Sequence, residues 1–527
     1  MNGKPQLEPR TVLALVCFLV LAAYGLMIDL KGISSDEGIR LAIMNGGAVF
    51  PLHETSPHAT WDAVLAANSP YAYQPLYFLL QNSLMRVAQT HDVVFLRLVN
   101  LFFLWVCLQG LLKLSAPWRL GPRVFLLLAF SFNAYLFMHV LQIREYVVGV
   151  AWYIWSTVFV LRLDERELGR KWADAGWFAA YGILLTLGYY TQSWIVLPAI
   201  AQFVFLAARA RPHRWRFLEH LALSLGIVLA LTLPYLLSHP QKIDIGRWGK
   251  TTTAFWPQLA DGFHLVLTGH LAGRAPFATF LFWFWLVTLA VAAVLVLRAP
   301  PGLAISLGVR EIKRQGTLAL ICILFPLAFQ VGYFLCVDDL SLWPRYFVIH
   351  YFYAVWLLGL GFAHLCDRWQ AAGTRGGVRR ILGAAVVLVA SVMVASGVYQ
   401  SRSYYLDPLL DSGQSQDSNW RSVAAGLSRA SQADDVVVAY DFIFGASLTY
   451  TRPIPNRVVQ LKELESADLR SARRLLYLEA AFAAPQRAAL AARLNALGFC
   501  ECQEIPLRPS PGQPALSDWR LLAFSRR

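Results

Sequence analysis

Apolar residues in this chain come in long, uninterrupted blocks, and this pattern limits the folds that the chain can adopt. The 527-residue sequence is 57% hydrophobic and only 15% charged, with a mean hydropathy of +0.48. Soluble domains carry about 25% charged residues. A block of about 20 apolar residues fits the hydrocarbon core of a bilayer, where a helix satisfies its own backbone hydrogen bonds. The sequence therefore predicts a polytopic α-helical membrane protein.

The apolar blocks predict about eleven membrane crossings. The first block, Thr11–Ile28, is interpreted as an uncleaved span because no convincing small-residue cleavage site precedes Asp29. The short segment Leu76–Ala88 follows Pro75 and is interpreted as an interfacial or re-entrant helix. The other spans are predicted at 93–114, 122–142, 146–163, 174–191, 193–209, 217–237, 277–297, 317–336, 345–366 and 381–399.

Basic residues cluster in short loops between these blocks. The net charge of +14 therefore does not indicate a nucleic-acid partner, because the sequence shows no basic face that could grip phosphates. If the spans alternate, all the clusters fall on one side, and the positive-inside rule makes that side the cytoplasm. The N-terminus is then cytoplasmic. The clusters are Arg119/Arg123, Arg162/Arg166/Arg170/Lys171, Arg209/Arg211/Arg214/Arg216, Arg310/Lys313/Arg314 and Arg368/Arg375/Arg379/Arg380.

A water-soluble domain is predicted after the last span. We expect a membrane domain over residues 1–399, with a long first extracytoplasmic loop at 29–92, and a small α/β domain over residues 400–527. Alternating apolar patterns predict the elements of the second domain. They are helices at Asn419–Ser431 and Pro485–Leu497 and strands at Asp435–Tyr440, Arg474–Leu478, Cys500–Ile505 and Trp519–Phe524.

An acidic pair stands a few residues beyond the first span. Ser34 and Ser35 precede Asp36 and Glu37, which is typical of a helix start. Asp36 and Arg40 are four residues apart and would share a face of that helix. The alternative is an ordinary capped interfacial helix with a surface ion pair.

Further charges are expected on the same side of the membrane. Arg144 and Tyr146 lie at the mouth of two spans, and Arg345 and Tyr346 begin another span after Asp338-Asp339. Each arginine alone is typical of a snorkelling charge beside an interfacial tyrosine. Together with Asp36 they form a set of carboxylates and arginines at one level, which suits an anionic, lipid-borne substrate and a carboxylate base.

The order of these landmarks resembles the family of protein O-mannosyltransferases, lipid A aminoarabinose transferases and related bacterial transferases that use polyprenyl-phosphate sugars. The Asp36-Glu37 pair follows the first span, and Gln74-Pro75-Leu76-Tyr77 precedes the short apolar helix. The remaining landmarks are Phe95-Leu96-Arg97-Leu98, Arg144/Tyr146, Arg345/Tyr346 and a soluble domain that starts near Asn419-Trp420-Arg421. The motifs are short, but they cover most of the membrane domain in order.

The resemblance implies a GT-C fold, a bacterial inner-membrane location and a periplasmic C-terminal domain. It implies catalytic roles for the acidic pair, with Asp36 as the base, and arginines that bind the donor phosphate. Its substrate-binding residues would be Arg40, Tyr73, Gln74, Arg144, Tyr146, Arg345 and Tyr346. Two departures stand out: the family often has Pro-Pro where this chain has Gln74-Pro75, and its arginine often comes one residue before the position of Arg40.

Chemistry favours the same reaction. Nucleotide sugars are made in the cytoplasm, so an outward-facing transferase needs a sugar donor that is carried by a lipid such as polyprenyl phosphate. A carboxylate base would activate the hydroxyl of a lipid, glycan or protein acceptor, and arginines would stabilise the departing phosphate. No metal or other cofactor is expected. The alternatives are an oligosaccharyltransferase or O-antigen ligase and, in another class, a secondary transporter.

Two other groups of polar residues are weaker candidates. His53, Glu54, His58 and Asp62 have no standard zinc spacing, so a polar loop is the simpler interpretation. Residues 189–192 (Tyr-Tyr-Thr-Gln) would line the cleft or form a wet interfacial turn between two spans.

Overall fold

The chain forms a bundle of long helices followed by a small sheet. The computed structural model describes residues 8–28, 35–47, 58–69, 73–165, 171–209, 214–238, 255–269, 276–298, 309–336, 347–372, 376–406, 420–432, 434–439, 456–461, 464, 469, 472–480, 487–505 and 519–526. The helices up to residue 238 are α1 (Pro9–Met27), α2 (Ser35–Met44), α3 (Trp61–Asn68), α4 (Pro75–Ala88), α5 (Val93–Leu114), α6 (Leu120–Ser131), α7 (Ala134–Val140), α8 (Tyr146–Glu165), α9 (Lys171–Thr191), α10 (Val196–Arg209) and α11 (Arg214–Ser238). Five more lie between residues 255 and 406: α12 (Phe255–Thr268), α13 (Pro276–Leu297), α14 (Val309–Cys336), α15 (Val348–Ala371) and α16 (Gly376–Leu406).

Eight of the described helices are long and apolar enough to cross a membrane: α1, α5, α8, α11, α13, α14, α15 and α16. A ninth crossing results if α6 and α7 are one broken span, since they meet at an angle of 65°. The predicted spans at 174–191 and 193–209 are also helical, as α9 and the stretch Ser193–Arg209. They are not among the helices that meet this test, so their crossing stays a prediction.

The predicted span 122–142 is not one straight helix. The α6 helix ends at Ser131, and α7 restarts after Asn133, whose side chain accepts a hydrogen bond from the backbone N–H of Tyr135 at 2.8 Å. An asparagine that caps a new helix in this way competes with continuation of the preceding one. The break therefore follows from a polar residue that the apolar average of the segment conceals.

Ion pairs bring several predicted basic clusters together. At the end of α8, Asp164 accepts from Arg209 at the end of α10, with an Nε–Oδ1 distance of 2.9 Å. Arg314, near the start of α14, pairs with Glu165 at 2.5 Å. Arg119 before α6 pairs with Asp367 near the end of α15 at 3.0 Å. Each of these ion pairs joins two loops that the charge pattern predicts on the same side of the membrane.

The α15 helix forms the centre of the bundle. It packs against α6, α8, α13, α14 and α16, and its residues from Val348 to His364 are all buried. In contrast, α13 and α16 expose large apolar side chains such as Trp283, Val287 and Leu388. These helices are little buried inside the protein, because the apolar side chains of an outer helix can face lipid instead.

Three short helices, α2, α3 and α4, cover one end of the bundle, where α1 ends and α5 and α8 begin; we call it the α2 end. The α4 helix starts at Pro75, as predicted, and its 14 residues span about 21 Å, less than a bilayer core. Asn82 of α4 donates to the backbone carbonyls of Met44 at 2.9 Å and Ala59 at 3.1 Å. These bonds fasten α2 and α3 to α4.

The C-terminal part contains a five-stranded sheet in the order β2-β1-β3-β5-β4. The first three strands in this order are parallel, and β5 pairs antiparallel with β3 and β4. The predicted helices and strands are confirmed, while the short strand at residues 457–460 was not predicted. The α16 helix continues to Leu406, beyond the predicted domain boundary at 399. The elements are α17 (Trp420–Ala430), β1 (Val436–Ala439), β2 (Arg457–Gln460), β3 (Arg474–Ala480), α18 (Arg487–Ala496), β4 (Phe499–Ile505) and β5 (Trp519–Arg526).

The orientation inferred from the basic loops can be tested with two matched cysteines. Ala88 and Ala116 are both exposed and lie on either side of α5. We expect Ala88→Cys to react with a membrane-impermeant maleimide in intact cells and Ala116→Cys to react only after permeabilisation. The unsubstituted protein measures the background from the seven native cysteines, of which Cys17, Cys107, Cys322 and Cys366 are buried. The opposite labelling pattern would place the α2 end in the cytoplasm.

Candidate active site

A buried ion pair joins α2 to α5 at the α2 end. Arg97 donates from Nη2 to Glu37 Oε1 at 3.0 Å and from Nε to the same oxygen at 3.2 Å. The side chain of Glu37 is 0% exposed and that of Arg97 is 1% exposed. Burying two charges costs free energy unless further hydrogen bonds satisfy their remaining atoms. Here Arg97 Nη1 donates to the carbonyl of Ile28, and Glu37 Oε1 accepts from the N–H of Ile143 at 2.8 Å.

A second ion pair joins α2 to the start of α8. Arg40 donates to both carboxylate oxygens of Glu145, from Nε and Nη2, each at 2.9 Å. The Arg40 guanidinium also lies over the Tyr73 ring, 5.0 Å from its centroid. The shared face that was expected for Asp36 and Arg40 stays a prediction, since the Asp36 side chain lies outside the described residues, but Arg40 is buried rather than on the surface.

The charge of Arg40 sets the protonation of Glu145. Burial alone raises the pKa of this carboxyl, but the positive charge of Arg40 and its hydrogen bonds outweigh burial and hold the pKa below its ordinary value of 4.5. Because the pKa is lowered, the ion pair stabilises the fold fully when the pH is above the ordinary pKa of 4.5. Its contribution is lost only as the pH falls through the lowered pKa.

The turn between α7 and α8 carries Arg144 and Glu145, and hydrogen bonds from α5 fix its backbone. Asn100 of α5 donates to the carbonyls of Gln142 and of Arg144, and its side-chain oxygen accepts from the Tyr77 hydroxyl at 3.1 Å. Gln81 of α4 donates in turn to Tyr77 at 3.0 Å. This network connects α4, α5 and the turn, and it fixes the backbone that presents the two charged residues.

The interpretation of Arg144 as a snorkelling charge is wrong. Its side chain is completely buried, and the neighbouring Tyr146 is 4% exposed. The Tyr146 ring lies 4.5 Å from the ring of His139, which is also buried. The charge of Arg144 is therefore enclosed by protein rather than directed toward the membrane surface.

Tyr73 and Gln74, which precede α4, contact tyrosines of α9 and α11. Gln74 hydrogen-bonds to Tyr189 near the end of α9, and the hydroxyl of Tyr235 donates to the carbonyl of Tyr73 at 3.3 Å. The Tyr190 ring lies 5.2 Å from that of Tyr235. The structure thus places the predicted residue Tyr73 against Arg40 and connects Gln74 to Tyr189 of the 189–192 segment.

Gln192, the last residue of that segment, points into the bundle. Its side-chain oxygen accepts from the hydroxyl of Tyr153 on α8 at 2.8 Å. The approach depends on Gly149, because a Cβ at this position would lie only 2.1 Å from the same oxygen. The expected wet interfacial turn is therefore wrong for Gln192, which is 4% exposed.

Several predicted site residues lie partly or wholly outside the described residues. Asp36 belongs to the first turn of α2, one residue before Glu37, but its side chain is not described. Arg345 and Tyr346 fall in the range 337–346, as does the Asp338-Asp339 pair, and lie outside the described residues. His53 and Glu54 of the weak metal candidate are likewise outside them.

Within the described ranges, no group of at least three histidine, cysteine, aspartate or glutamate side chains could hold a metal ion. His58 stacks on His91 with ring centroids 4.2 Å apart. Burial, together with the charges of His91 and Arg86, lowers the pKa of His58. Asp62 is exposed in the first turn of α3.

Sequence reasoning underestimated Arg97, Asn100 and Glu145. Arg97 served only as a landmark, although an arginine within an apolar span is a strong indication of a buried polar role. Asn100 lies three residues further along the same helix and gave the same signal. Glu145 was overlooked because its partner, Arg40, is 105 positions away in the sequence.

The buried pair predicts a large loss of stability when one partner is removed. Arg97→Met should lower the free energy of unfolding by about 3–5 kcal/mol, because it leaves Glu37 buried without its guanidinium. Denaturant titration in mixed micelles would measure the change. Arg162→Met is the matched control, since Arg162 and Glu165 form an exposed pair for which about 1 kcal/mol or less is expected. Equal effects of the two substitutions would contradict the role given to Arg97.

Comparisons with known proteins identify the fold. No protein-family model matches the sequence, and no curated protein matches it significantly. The structure is similar to ArnT from Cupriavidus metallidurans in a crystal structure with bound undecaprenyl phosphate, with a TM-score of 0.55, 13% identity and 97% of each chain covered. It is also similar to the Archaeoglobus fulgidus oligosaccharyltransferase, with a TM-score of 0.50, 10% identity and coverage of 95% of this chain and 75% of that one.

A third similar structure is the arabinofuranosyltransferase AftD from Mycobacteria, with a TM-score of 0.50 and 14% identity. The match covers 98% of this chain but only 40% of AftD. All three are GT-C membrane glycosyltransferases. The expected architecture is confirmed: the chain is a multi-pass membrane protein with the GT-C fold.

Proposed function

We propose that this chain is an integral membrane glycosyltransferase that moves a sugar from a polyprenyl-phosphate donor to an acceptor hydroxyl. The observation that carries the proposal is the double anchoring of α2 by Glu37–Arg97 and Arg40–Glu145. These pairs fix the helix that bears Asp36 within a site that also contains the buried Arg144. The shared fold with ArnT, whose structure contains undecaprenyl phosphate, supports a lipid-phosphate donor.

Asp36 acts as the general base in this proposal. Its carboxylate takes the proton of the acceptor hydroxyl while the hydroxyl oxygen forms a bond to the anomeric carbon. The bond from that carbon to the phosphate oxygen breaks, and the polyprenyl phosphate leaves with the bonding electrons. Glu37 was expected to share the catalytic role. Since its carboxylate is occupied by Arg97 and by the backbone of Ile143, we assign it the positioning of α2.

Arginines and aromatic residues bind the donor. The leaving phosphate gains about one negative charge, which guanidinium groups stabilise through forked hydrogen bonds. Arg40 and Arg144 supply such groups, with Arg345 and Tyr346 as further candidates. Tyr73, Gln74 and Tyr146 complete the binding residues. The reaction takes place on the periplasmic side of a bacterial inner membrane, where the C-terminal domain also lies, and the acceptor is a lipid, glycan or protein hydroxyl.

An oligosaccharyltransferase is the second candidate, favoured by the similarity to the Archaeoglobus fulgidus enzyme. It would use a lipid-linked preassembled glycan. A secondary transporter is less well supported, because the buried charges Glu37, Arg97 and Arg144 gather at one end of the bundle. Transporters place their coupling-ion sites near the middle of the bilayer.

The reaction is tested first in cells. Mass spectrometry of lipids and glycans from a strain that lacks the gene should show the loss of one glycoform, and the gene should restore it. Asp36→Asn keeps the size of the side chain but removes its basicity, so glycoform formation should slow by about a hundredfold or more.

Asp62→Asn is the matched control, because Asp62 is exposed on the neighbouring helix α3. It should restore the glycoform at the normal rate. Protein abundance and binding of undecaprenyl phosphate should be the same for both variants, since the base acts on the acceptor. A normal rate with Asp36→Asn would exclude Asp36 as the base.

We also expect turnover without a divalent metal ion. A monophosphate donor develops a charge that guanidinium groups can stabilise, whereas a diphosphate-linked glycan concentrates more charge and favours metal assistance. Purified protein should therefore retain its activity with a lipid-monophosphate sugar after exhaustive treatment with EDTA. Loss of activity that Mn²⁺ or Mg²⁺ restores would contradict this mechanism. It would favour the oligosaccharyltransferase, with Asp338 and Asp339 as ligand candidates.

A further inference from the structure

Glu145 holds Arg40 in a geometry that a phosphate would also use. The guanidinium donates from Nε and Nη2 to two oxygens of one anion, each at 2.9 Å. Arginine binds phosphate through the same pair of parallel hydrogen bonds. A donor phosphate that engages this edge of Arg40 must therefore replace the carboxylate of Glu145.

The two ion pairs of α2 differ in their access to solvent. Glu37 is completely enclosed and accepts from the backbone N–H of Ile143, so rotation of its side chain would break a contact between two parts of the fold. The side chain of Glu145 is 13% exposed, while that of Arg40 is 2% exposed. In the second pair the carboxylate is therefore the partner that can reach water.

The surroundings also make Glu145 the partner that can move. The Arg40 guanidinium is stacked on Tyr73, and its helix is fixed by Glu37. The backbone of Glu145 is fixed as well, since its carbonyl accepts from Gly149 and Asn100 holds the turn that precedes it. A rotation of the Glu145 side chain would therefore free the edge of Arg40 without moving the backbone of either element.

We propose that Glu145 is an exchangeable counter-ion, which occupies Arg40 in the empty site and is displaced by the phosphate of the lipid donor. This inference rests on the proposed function. The exchange keeps the charge of Arg40 compensated before the donor binds. After transfer, the returning carboxylate competes with the polyprenyl phosphate product and promotes its release. Glu145 thus lowers the affinity for the lipid phosphate, and it sets the balance between donor binding and product release.

Binding of undecaprenyl phosphate to the purified full-length protein tests the exchange. Glu145→Gln removes the competing charge, so the Kd for undecaprenyl phosphate should fall by about tenfold, and the rise in Tm on adding this lipid should be larger than in the wild type. Glu165→Gln is the matched control. It makes the same change at the other end of α8, where Glu165 pairs with Arg314, and it should leave the Kd unchanged.

Further variants keep the test decisive. Glu145→Asp preserves the charge but shortens the side chain, which weakens the forked pair, so its Kd should lie between those of the wild type and Glu145→Gln. It replaces Glu145→Gln if that variant does not fold. Arg40→Gln should weaken binding, and Glu145→Gln should have no effect in the Arg40→Gln background.

The outcomes separate the exchange from the proposed function. If undecaprenyl phosphate binds the wild type but Glu145→Gln binds it equally or more weakly, the exchange is wrong and the lipid-phosphate donor stands. If the wild type binds undecaprenol as tightly as undecaprenyl phosphate, the phosphate is not recognised, and both the donor assignment and the exchange fail. Tighter binding by Glu145→Gln that depends on the phosphate and on Arg40 would establish the exchange.

Discussion

The Glu37–Arg97 pair is the interaction on which the α2 end of the bundle depends. Removing two charges from water costs several kcal/mol for each ion, and the pair offsets this cost only when further hydrogen bonds complete both groups. Here the carbonyl of Ile28 and the N–H of Ile143 supply them. The same four groups therefore connect the end of α1, the start of α2, the span α5 and the turn before α8. Ile143, in the turn before α8, is thereby fixed by a hydrogen bond to a buried side chain.

The neighbouring pair, Arg40–Glu145, uses the same chemistry under different solvation. Both pairs have short hydrogen bonds, but only Glu145 retains contact with solvent. A fully buried carboxylate that leaves its partner has no compensating interaction, whereas a partly exposed one gains hydration. Two ion pairs of similar geometry can thus serve different purposes. Glu37–Arg97 fixes a helix, whereas in Arg40–Glu145 the carboxylate can exchange with a phosphate. The difference lies in burial rather than in distance.

Much of the fold could be predicted from the sequence, and part of the site could not. Hydropathy located the helices because the bilayer requires long apolar segments, and Pro75 correctly marked the start of α4. The break at Asn133 was missed because a capping asparagine barely changes the mean hydropathy of a span. The helix that carries Arg40 was predicted, but the burial of this residue and its pairing with Glu145 depend on tertiary contacts over more than a hundred residues. Local periodicity carries no information on such contacts.

The distribution of polar residues also fits the glycosyl transfer that we propose for one end of the bundle. Within α5, the polar residues Arg97 and Asn100 lie in its first turns, whereas its later part is buried through apolar residues such as Leu104 and Leu108. Charges placed there lie near the end of the bundle, where an acceptor hydroxyl would arrive, and close to its apolar part, where a prenyl chain would reside. Deeper in the membrane, the acceptor could not reach them. Further out, water would screen the charges and weaken the stabilisation of the leaving phosphate. The boundary between the two solvents is therefore the position at which a carboxylate base and arginines can act on one lipid-linked sugar.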